Sequence, residues 1–149
     1  MDRLRGSADT TVDDKGRFKV PVVYRSPLEE AFGVDFFVTS ISGEDVLIYP
    51  MPVWNGIEEK LAALPAIHRA KTKFLERVNY FGQDASLDSQ GRVLIPQILR
   101  DSAKLPADVV VTGNIDHLVV SDRGALAARL TSEDFTAEDY DELSKLLLS

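Results

Sequence analysis

Residues 13–25, DDKGRFKVPVVYR, are repeated with the same spacing at residues 88–100, DSQGRVLIPQILR. Both copies follow the pattern D-x-x-G-R-x-x-x-P-x-x-x-R, and the apolar positions between the shared residues also match. Two further segments correspond, FFVT at 36–39 with VVVT at 109–112 and VLI at 46–48 with LVV at 118–120. The offset shrinks from 75 residues to 73 and then 72, so the length differences fall in loops. The chain therefore contains an internal repeat, which predicts a repeated structural unit.

Each copy opens with a turn between two short strands. The flanking residues alternate between apolar and polar, as half-buried strands do. Asp13 and Asp88 are placed to accept backbone N–H groups in the turn, and Gly16 and Gly91 supply the positive φ that closes it. The pattern predicts a β-hairpin at the start of each copy, with these four residues in its turn.

A short helix and a second hairpin complete the unit. Pro21 suits the first position of a helix, because its missing N–H costs nothing there. Residues 26–29, SPLE, read as a capping box that opens a further turn, which ends at Gly33. Residues 34–39 and 46–49 are predicted to be the strands of the second hairpin.

A unit of about 40 residues is too small to bury a sizeable core alone. We therefore expect an α+β fold in which the two repeats interleave around one pseudo-twofold core with flanking helices. The expected segments are a first repeat at 1–50, linking helices at 51–81, a second repeat with a short helix at 82–130, and an acidic tail helix at 131–149.

Helical periodicity predicts the connecting and terminal segments. The first linking helix covers 52–64 and has an apolar face made of Val53, Trp54, Ile57, Leu61 and Leu64. Pro65 ends it, and a second helix follows with apolar residues Ile67, Ala70, Phe74, Leu75 and Val78. Leu126 and Leu130 indicate a short helix after the second repeat, and the segment from Thr136 onward indicates a capped amphipathic helix.

The composition restricts the class of protein. The chain has 149 residues, a net charge of -7 and no cysteine, which excludes disulfides and thiolate metal sites. Two histidines leave little for a zinc site, and no stretch reaches the roughly 18 consecutive apolar residues of a membrane-spanning helix. Residues 1–6 have no apolar run behind their charges, so we expect no secretory signal and a cytoplasmic protein. We also expect no metal, cofactor or small-molecule ligand.

The charge is unevenly distributed along the chain. Residues 133–149 carry six acidic residues and one lysine, whereas residues 1–25 carry six basic and four acidic ones, and residues 60–77 carry five and one. Local field rather than net charge decides where a polyanion binds. The two basic segments are therefore compatible with a nucleic-acid partner, although the net charge of the chain is negative.

Arg17 and Arg92 are the candidate contact residues, and two interpretations stay open for them. Each follows the turn glycine directly, where its planar guanidinium can project and meet phosphate or the major-groove edge of guanine. Each can also pair with the aspartate four positions earlier. Lys15 and Lys19 make the first turn cationic, whereas the second has Gln90, so the first is expected to be the better contact surface.

Asp13 and Asp88 could be imagined as a general acid and base pair, but they occupy the same turn position of a repeated hairpin. The sequence offers no nucleophile, metal cluster or phosphate loop beside them. A structural role for the two carboxylates, in a protein that is not an enzyme, is the favoured interpretation.

The motifs closely resemble those of the MraZ family, which belongs to the AbrB-like swapped-hairpin transcription factors. The resemblance rests on the doubled D-x-x-G-R-x-x-x-P motif, the helix entry at Met51-Pro52-Val53-Trp54 and the basic helix between the copies, and it covers residues 3–130. It implies two AbrB-like repeats interleaved into a β-barrel-like core. It also implies a sequence-specific DNA-binding regulator of the division and cell-wall gene cluster.

The same resemblance implies a mode of binding. It implies a ring-shaped homo-oligomer on short tandem direct repeats at its own promoter, associated with the nucleoid. The family's motif arginine corresponds to Arg17 and Arg92, and its motif lysine corresponds to Lys15. Lys19 belongs to the same cationic hairpin, so double-stranded DNA is the expected partner of all four residues.

A second class of function stays open, namely a protein-interaction module of the same fold. Antitoxin-like relatives of this kind neutralise a partner through a C-terminal segment. The acidic tail at 133–149 is the feature that favours this alternative.

Overall fold

A computed structural model describes residues 3–148 of the chain. Residues 1, 2 and 149, at the outer ends of the first and last predicted segments, lie outside the described residues. The strands are β1 (Ser7–Thr11), β2 (Arg17–Lys19), β3 (Asp35–Thr39), β4 (Val46–Pro50), β5 (Gln83–Ser86), β6 (Arg92–Leu94), β7 (Asp108–Gly113) and β8 (Leu118–Ser121). The helices are α1 (Val22–Phe32), α2 (Met51–Ala62), α3 (Arg69–Phe81), α4 (Gln97–Ala103), α5 (Arg123–Ser132) and α6 (Ala137–Leu147). The α+β class predicted from the sequence is confirmed.

The strands form one six-stranded sheet and one two-stranded ribbon, with antiparallel pairing throughout. The order in the large sheet is β1-β7-β8-β4-β3-β5, so β1 of the first repeat pairs with β7 of the second, and β5 of the second pairs with β3 of the first. The ribbon joins β2 to β6, again one strand from each repeat. The large sheet is open, since β1 and β5 are its two edges and do not pair with each other.

The predicted hairpin at the start of each copy is wrong in its strand pairing. Only an isolated bridge joins Val12 to Phe18 across the first turn. The strands on either side of that turn belong to different sheets, because each finds its full set of backbone partners in the other repeat. The second hairpin of each copy is confirmed, with β3 pairing β4 and β7 pairing β8.

One core lies between the large sheet and the ribbon. The ribbon contributes Phe18 and Val93, both fully buried, and the helices α1 and α4 contribute Leu28 and Leu99. Side chains from β3, β4, β7 and β8 close the core from the other side. Each such burial contributes about 1.5–3 kcal/mol to folding, and the buried cluster draws its residues from both repeats.

The first helix differs from the prediction. The helix α1 runs without interruption from Val22 to Phe32 and contains Pro27, so Ser26 does not open a separate turn. Tyr24 and Leu28, one turn apart, are both buried, and their packing holds the helix together across the proline. Pro21 lies one position before the helix rather than at its first position, and Gly33 ends the helix as predicted.

The linking helices pack on the β4-β3-β5 half of the sheet. In α2, Trp54 is buried and stacks on Phe37, whose ring centroid is 4.8 Å away, and Val78 and Phe74 of α3 close over the same site. The predicted helices are slightly too long at their junction, because α2 ends at Ala62 and α3 begins at Arg69. Leu64 and Ile67, which were predicted to be part of the apolar faces, are exposed between them.

Two helices follow the last strand. The first, α5, is joined to the edge strand β1 by an ion pair between Arg123 and Asp9. The second, α6, begins with a capping box in which Thr136 and Asp139 bond each other's backbone N–H, as the sequence predicts. Neither helix buries any of its described residues.

Candidate functional site

The first motif turn is held by the carboxylate of Asp13. Its Oδ1 accepts the backbone N–H of Lys15 at 3.0 Å and of Arg17 at 2.8 Å, and its Oδ2 accepts Arg17 Nε at 2.6 Å. Gly16 adopts a φ of 88°, which allows its N–H to return to the Asp13 carbonyl at 3.0 Å. The carboxylate therefore organises both the backbone of the turn and the arginine that follows it.

The second motif turn repeats these contacts. Asp88 Oδ1 accepts the N–H groups of Gln90 and Arg92, each at 2.9 Å, and Asp88 Oδ2 accepts Arg92 Nε at 2.9 Å. Gly91 has a φ of 76°. The turn roles expected for the aspartates and glycines of both motifs are confirmed.

The two turns lie side by side and are bonded to each other. The backbone N–H of Val20 donates to the Gly91 carbonyl at 2.9 Å, and that of Ile95 donates to the Gly16 carbonyl at 2.8 Å. Each turn glycine thus receives a hydrogen bond from the strand that follows the other turn. Interleaving of the repeats therefore places the two motifs, 75 residues apart in sequence, in one surface.

Pairing of the ribbon sorts its side chains onto two faces. Arg17 lies opposite Leu94 and Lys19 lies opposite Arg92, while Phe18 and Val93 between them face the core. Because neighbouring residues of a strand point to opposite faces, the other four share the outer face. This outer ribbon face, defined as Arg17, Lys19, Arg92 and Leu94, carries three cations and one aliphatic side chain.

The two arginines are partly engaged within the protein. The Arg17 side chain is 35% exposed and that of Arg92 is 24% exposed, and each guanidinium lies against its turn aspartate instead of projecting from the hairpin end. The ion-pair interpretation is therefore confirmed for both. Each side chain still has a solvent-facing part, so the pairing leaves room for an external contact.

The charges of the two lysines are more accessible to solvent than those of the two arginines. Lys15 in the turn and Lys19 on the ribbon are both exposed. Among residues 3–148, neither ammonium group has a hydrogen-bond or ion-pair partner within the chain. In contrast, Arg17 and Arg92 are each ion-paired with a turn aspartate.

The structure adds two arginines that the sequence did not place at the site. Arg25 and Arg100 end the two motifs, and each crosses to the turn of the other repeat: Arg25 lies against Gly91 and donates to the Ser89 carbonyl at 3.4 Å, and Arg100 lies against Gly16. In the sequence, the feature that could have identified them is the arginine at the end of the repeated pattern. Which turn each of these arginines contacts depends on the exchange of strands between the repeats. The spacing of the motif does not reveal that exchange.

Hydrogen bonding keeps both turn carboxylates ionised. The backbone N–H of Arg17 is the largest cause that lowers the pKa of Asp13, with its guanidinium and the Lys15 N–H acting the same way and partial burial opposing them. The corresponding groups of Arg92 and Gln90 lower the pKa of Asp88. Two carboxylates held as anions by neighbouring donors stabilise the turns, and this is not the arrangement of a general acid and base pair.

The described residues contain neither a metal-binding cluster nor a membrane-spanning helix. Residues 3–148 contain no group of three or more histidine, aspartate or glutamate side chains that could hold a metal ion. None of the helices in that range combines the length and the apolar character needed to cross a membrane. The outer ribbon face and its two turns form a cationic surface built from both repeats.

Comparison with known proteins agrees with this geometry. The family described as "MraZ protein, putative antitoxin-like" matches residues 4–77 and 83–142, which include both motif turns and the helices between them. A protein of Acidobacterium capsulatum named transcriptional regulator MraZ is 45% identical over 142 residues, which cover 95% of this chain and 97% of the relative.

Two further relatives carry the same name. The protein of Koribacter versatilis is 43% identical over 144 residues, covering 96% of this chain and 98% of its own length. That of Moorella thermoacetica is 35% identical over 142 residues, covering 95% and 92%. A doubled motif built into one surface, a family match across nearly all of the described chain and relatives of the same length together show that this chain belongs to the MraZ family.

Proposed function

We propose that the chain is a sequence-specific DNA-binding transcriptional regulator that contacts double-stranded DNA through the outer ribbon face and the two motif turns. The observation that carries the proposal is the convergence of Lys15, Arg17, Lys19 and Arg92 on one surface, with the two lysines exposed and unpaired within the chain. The names of the relatives support a regulatory role.

The shape of the surface suits a duplex. A two-stranded antiparallel ribbon fits the major groove, where guanine presents two acceptors to a guanidinium. Arg17 and Arg92 are oriented by Asp13 and Asp88, so less side-chain entropy is lost when they meet a base or phosphate. Lys15 and Lys19 are free to pair with phosphates on either side. The first repeat supplies more of the charge, because the second has Gln90 and Leu94 at the corresponding places.

The proposed target is a set of short tandem direct repeats at the gene's own promoter, in the division and cell-wall gene cluster. A ring of identical chains would present several ribbons to neighbouring repeats. Once one ribbon is bound, the next contacts become intramolecular, which raises the overall affinity without any new contact. Binding to chromosomal DNA in this way would associate the protein with the nucleoid, in the cytoplasm.

The proposal is tested by measuring promoter binding of alanine variants at one fixed salt concentration. We expect Arg17→Ala and the pair Lys15→Ala with Lys19→Ala to weaken binding of the DNA directly upstream of the gene at least tenfold. Arg92→Ala should weaken it less. Lys60→Ala is the matched control, because this lysine is exposed on α2, away from the ribbon, and its loss should leave affinity unchanged.

Circular dichroism and thermal unfolding must accompany the binding curves, since Arg17 also stabilises its turn. Equal and negligible losses for all of these folded variants would contradict the proposal. A uniform loss that includes Lys60→Ala would show nonspecific attraction to the duplex rather than recognition by this surface.

A second candidate function is a protein-interaction module that acts through the acidic tail in the manner of an antitoxin. The exposed apolar side chains of α6 favour it, together with the six acidic residues of 133–149. Removal of residues 133–149 separates the two candidates. A regulator should still bind a single DNA repeat, whereas an interaction module should lose its protein partner.

A further inference from the structure

The helix α6 is amphipathic, but none of its described residues is buried, and its Tyr140 contacts Phe135 just before the helix. Tyr140, Leu143 and Leu147 recur at the spacing of one helix face, and Tyr140 is 68% and Leu147 75% exposed. A free helix of 11 residues is marginal in water even when its N-terminus is well capped. A packing partner outside the chain would explain why this apolar face is retained.

A matching groove lies on α3, in the other half of the molecule. It has a volume of about 620 Å³ and is lined by Lys73, Glu76, Arg77, Tyr80 and Phe81. Tyr80 is 64% exposed, which is unusual for a large aromatic side chain beside a partly buried phenylalanine. The groove therefore offers aromatic surface together with two cations and one carboxylate, a net positive charge.

The charges of the groove complement those of the tail helix. Arg77 is fixed at the groove edge, because its Nη1 donates to the Ile41 carbonyl at 3.0 Å, and Lys73 lies one turn before it. On α6, Asp139 and Asp141 flank the apolar stripe on its two sides. Docking of that stripe against Tyr80 would bring acidic side chains beside Lys73 and Arg77.

The fold places these two features on opposite halves of the sheet. The helices α2 and α3 pack over β3 and β4, whereas α5, which leads into α6, is joined to β1 at the far edge. No residue of α6 lines the groove of its own chain, and none of the described residues of α6 is buried. A contact between them joins two chains through different surfaces, and such head-to-tail contacts generate rings or filaments.

We propose that α6 of one chain docks in the α3 groove of a second copy of this chain. The inference rests on the ring assembly in the proposed function and assigns its contact surfaces. Each contact consists of one helix in one groove, and closure of the ring adds stability to the contacts already formed.

The first experiment measures the mass of the full-length protein by native mass spectrometry and by light scattering after gel filtration. Leu147→Glu disables α6 and Tyr80→Glu disables the groove, and both residues are exposed, so folding should be unaffected. We expect each variant to fall to a monomer. Leu130→Glu, at an exposed leucine of α5, is the matched control and should keep the mass of the wild type.

A mixture of the two variants distinguishes the head-to-tail contact from pairing of like surfaces. The Tyr80→Glu chain keeps its α6 and the Leu147→Glu chain keeps its groove, so an equimolar mixture should form a dimer and nothing larger. A mixture that remains monomeric overturns the proposal, and pairing of α6 with α6 would instead leave the Tyr80→Glu variant associated on its own. A wild-type protein that is monomeric, or variants that keep the wild-type mass, would also overturn it.

Charge reversal gives an independent test of orientation. Lys73→Glu should weaken assembly, and Asp141→Lys combined with it should restore part of the loss. No recovery in the double variant, with both single variants folded and weakened, would contradict the placement of the acidic flank at Lys73.

DNA binding separates failure of this inference from failure of the proposed function. The Leu147→Glu monomer should bind a single repeat as the wild type does, but lose the gain in affinity on tandem repeats. If Leu147→Glu is monomeric as expected and yet neither it nor the wild-type ring binds promoter DNA, the DNA-binding proposal fails while the contact surfaces stand.

Discussion

Arg92 of the second repeat reaches the carboxylate that organises the first: its Nη1 lies 3.7 Å from Asp13 Oδ2, the same oxygen that accepts Arg17 Nε at 2.6 Å. One carboxylate of the first repeat thus faces a guanidinium from each repeat. Asp88 pairs with Arg92 alone among the described residues. The cationic surface is therefore one electrostatic unit, in which Asp13 has a larger role than its counterpart.

Replacement of Asp13 by asparagine should make stability less dependent on pH. Because hydrogen bonds lower the pKa of Asp13 in the folded state, its stabilising contribution is present above the pKa of the unfolded chain and is lost as the pH falls through the folded value. We expect Asp13→Asn to lower stability at neutral pH and to flatten the decline in acid.

Urea unfolding of the wild type and the variant across the acidic range measures this. Asp14→Asn is the control, since Asp14 is exposed beside it and makes no corresponding turn contacts. Parallel stability curves for wild type and Asp13→Asn would contradict the role given to this carboxylate.

Gly91→Ala should destabilise the fold and disturb the surface together. The residue has a φ of 76°, where an L side chain costs about 1–2 kcal/mol, and an added Cβ would lie 2.6 Å from Arg25 Nη1. Thermal unfolding should show the loss. Gly56→Ala, in open space inside α2, should instead stabilise by about 0.5–1 kcal/mol.

Separation of the repeats should abolish folding of both. The strand β1 pairs only with β7, and β2 pairs only with β6, so a fragment of residues 1–81 has no partner for either strand. We expect residues 1–81 and residues 82–149 each to lack cooperative unfolding by circular dichroism. An equimolar mixture should recover the native spectrum, and independent folding of either fragment would refute the exchange of strands.

Loss of the unpaired lysines should change the salt dependence of DNA binding. Each phosphate contact removed should lower the slope of log affinity against log salt by about 0.9. Lys15→Gln and Lys19→Gln are each expected to do so, whereas Lys60→Gln should not. The slopes are measured by titrating DNA binding between low and physiological salt. Identical slopes for all three variants would show that Lys15 and Lys19 do not contact phosphates.

The sequence predicted the parts of the fold that local patterns encode. The doubled motif indicated the repeat, the turn roles of Asp13 and Gly16 followed from residue type, and Thr136 with Asp139 indicated the start of α6. These features depend on neighbours within a few residues, so spacing and chemistry are enough to predict them.

The remaining features depend on contacts between distant segments. The strands on the two sides of the first turn could pair with each other as a hairpin or separate and pair with the other repeat. The residues of the turn do not distinguish these alternatives, because the hydrogen bonds of the turn are the same in both. The continuity of α1 across Pro27 likewise depends on burial of Tyr24 and Leu28 in a core that the second repeat helps to build. The approach of Arg25 to Gly91 follows from the same exchange.

The ribbon of β2 and β6 draws one strand from each half of a single polypeptide. If the two strands belonged to separate chains, the ribbon would form only above a certain protein concentration and would dissociate on dilution. Covalent linkage removes that threshold, so the cationic surface persists in a cell holding very few molecules. The concentration of the protein then affects only the association of whole chains and not the formation of the ribbon.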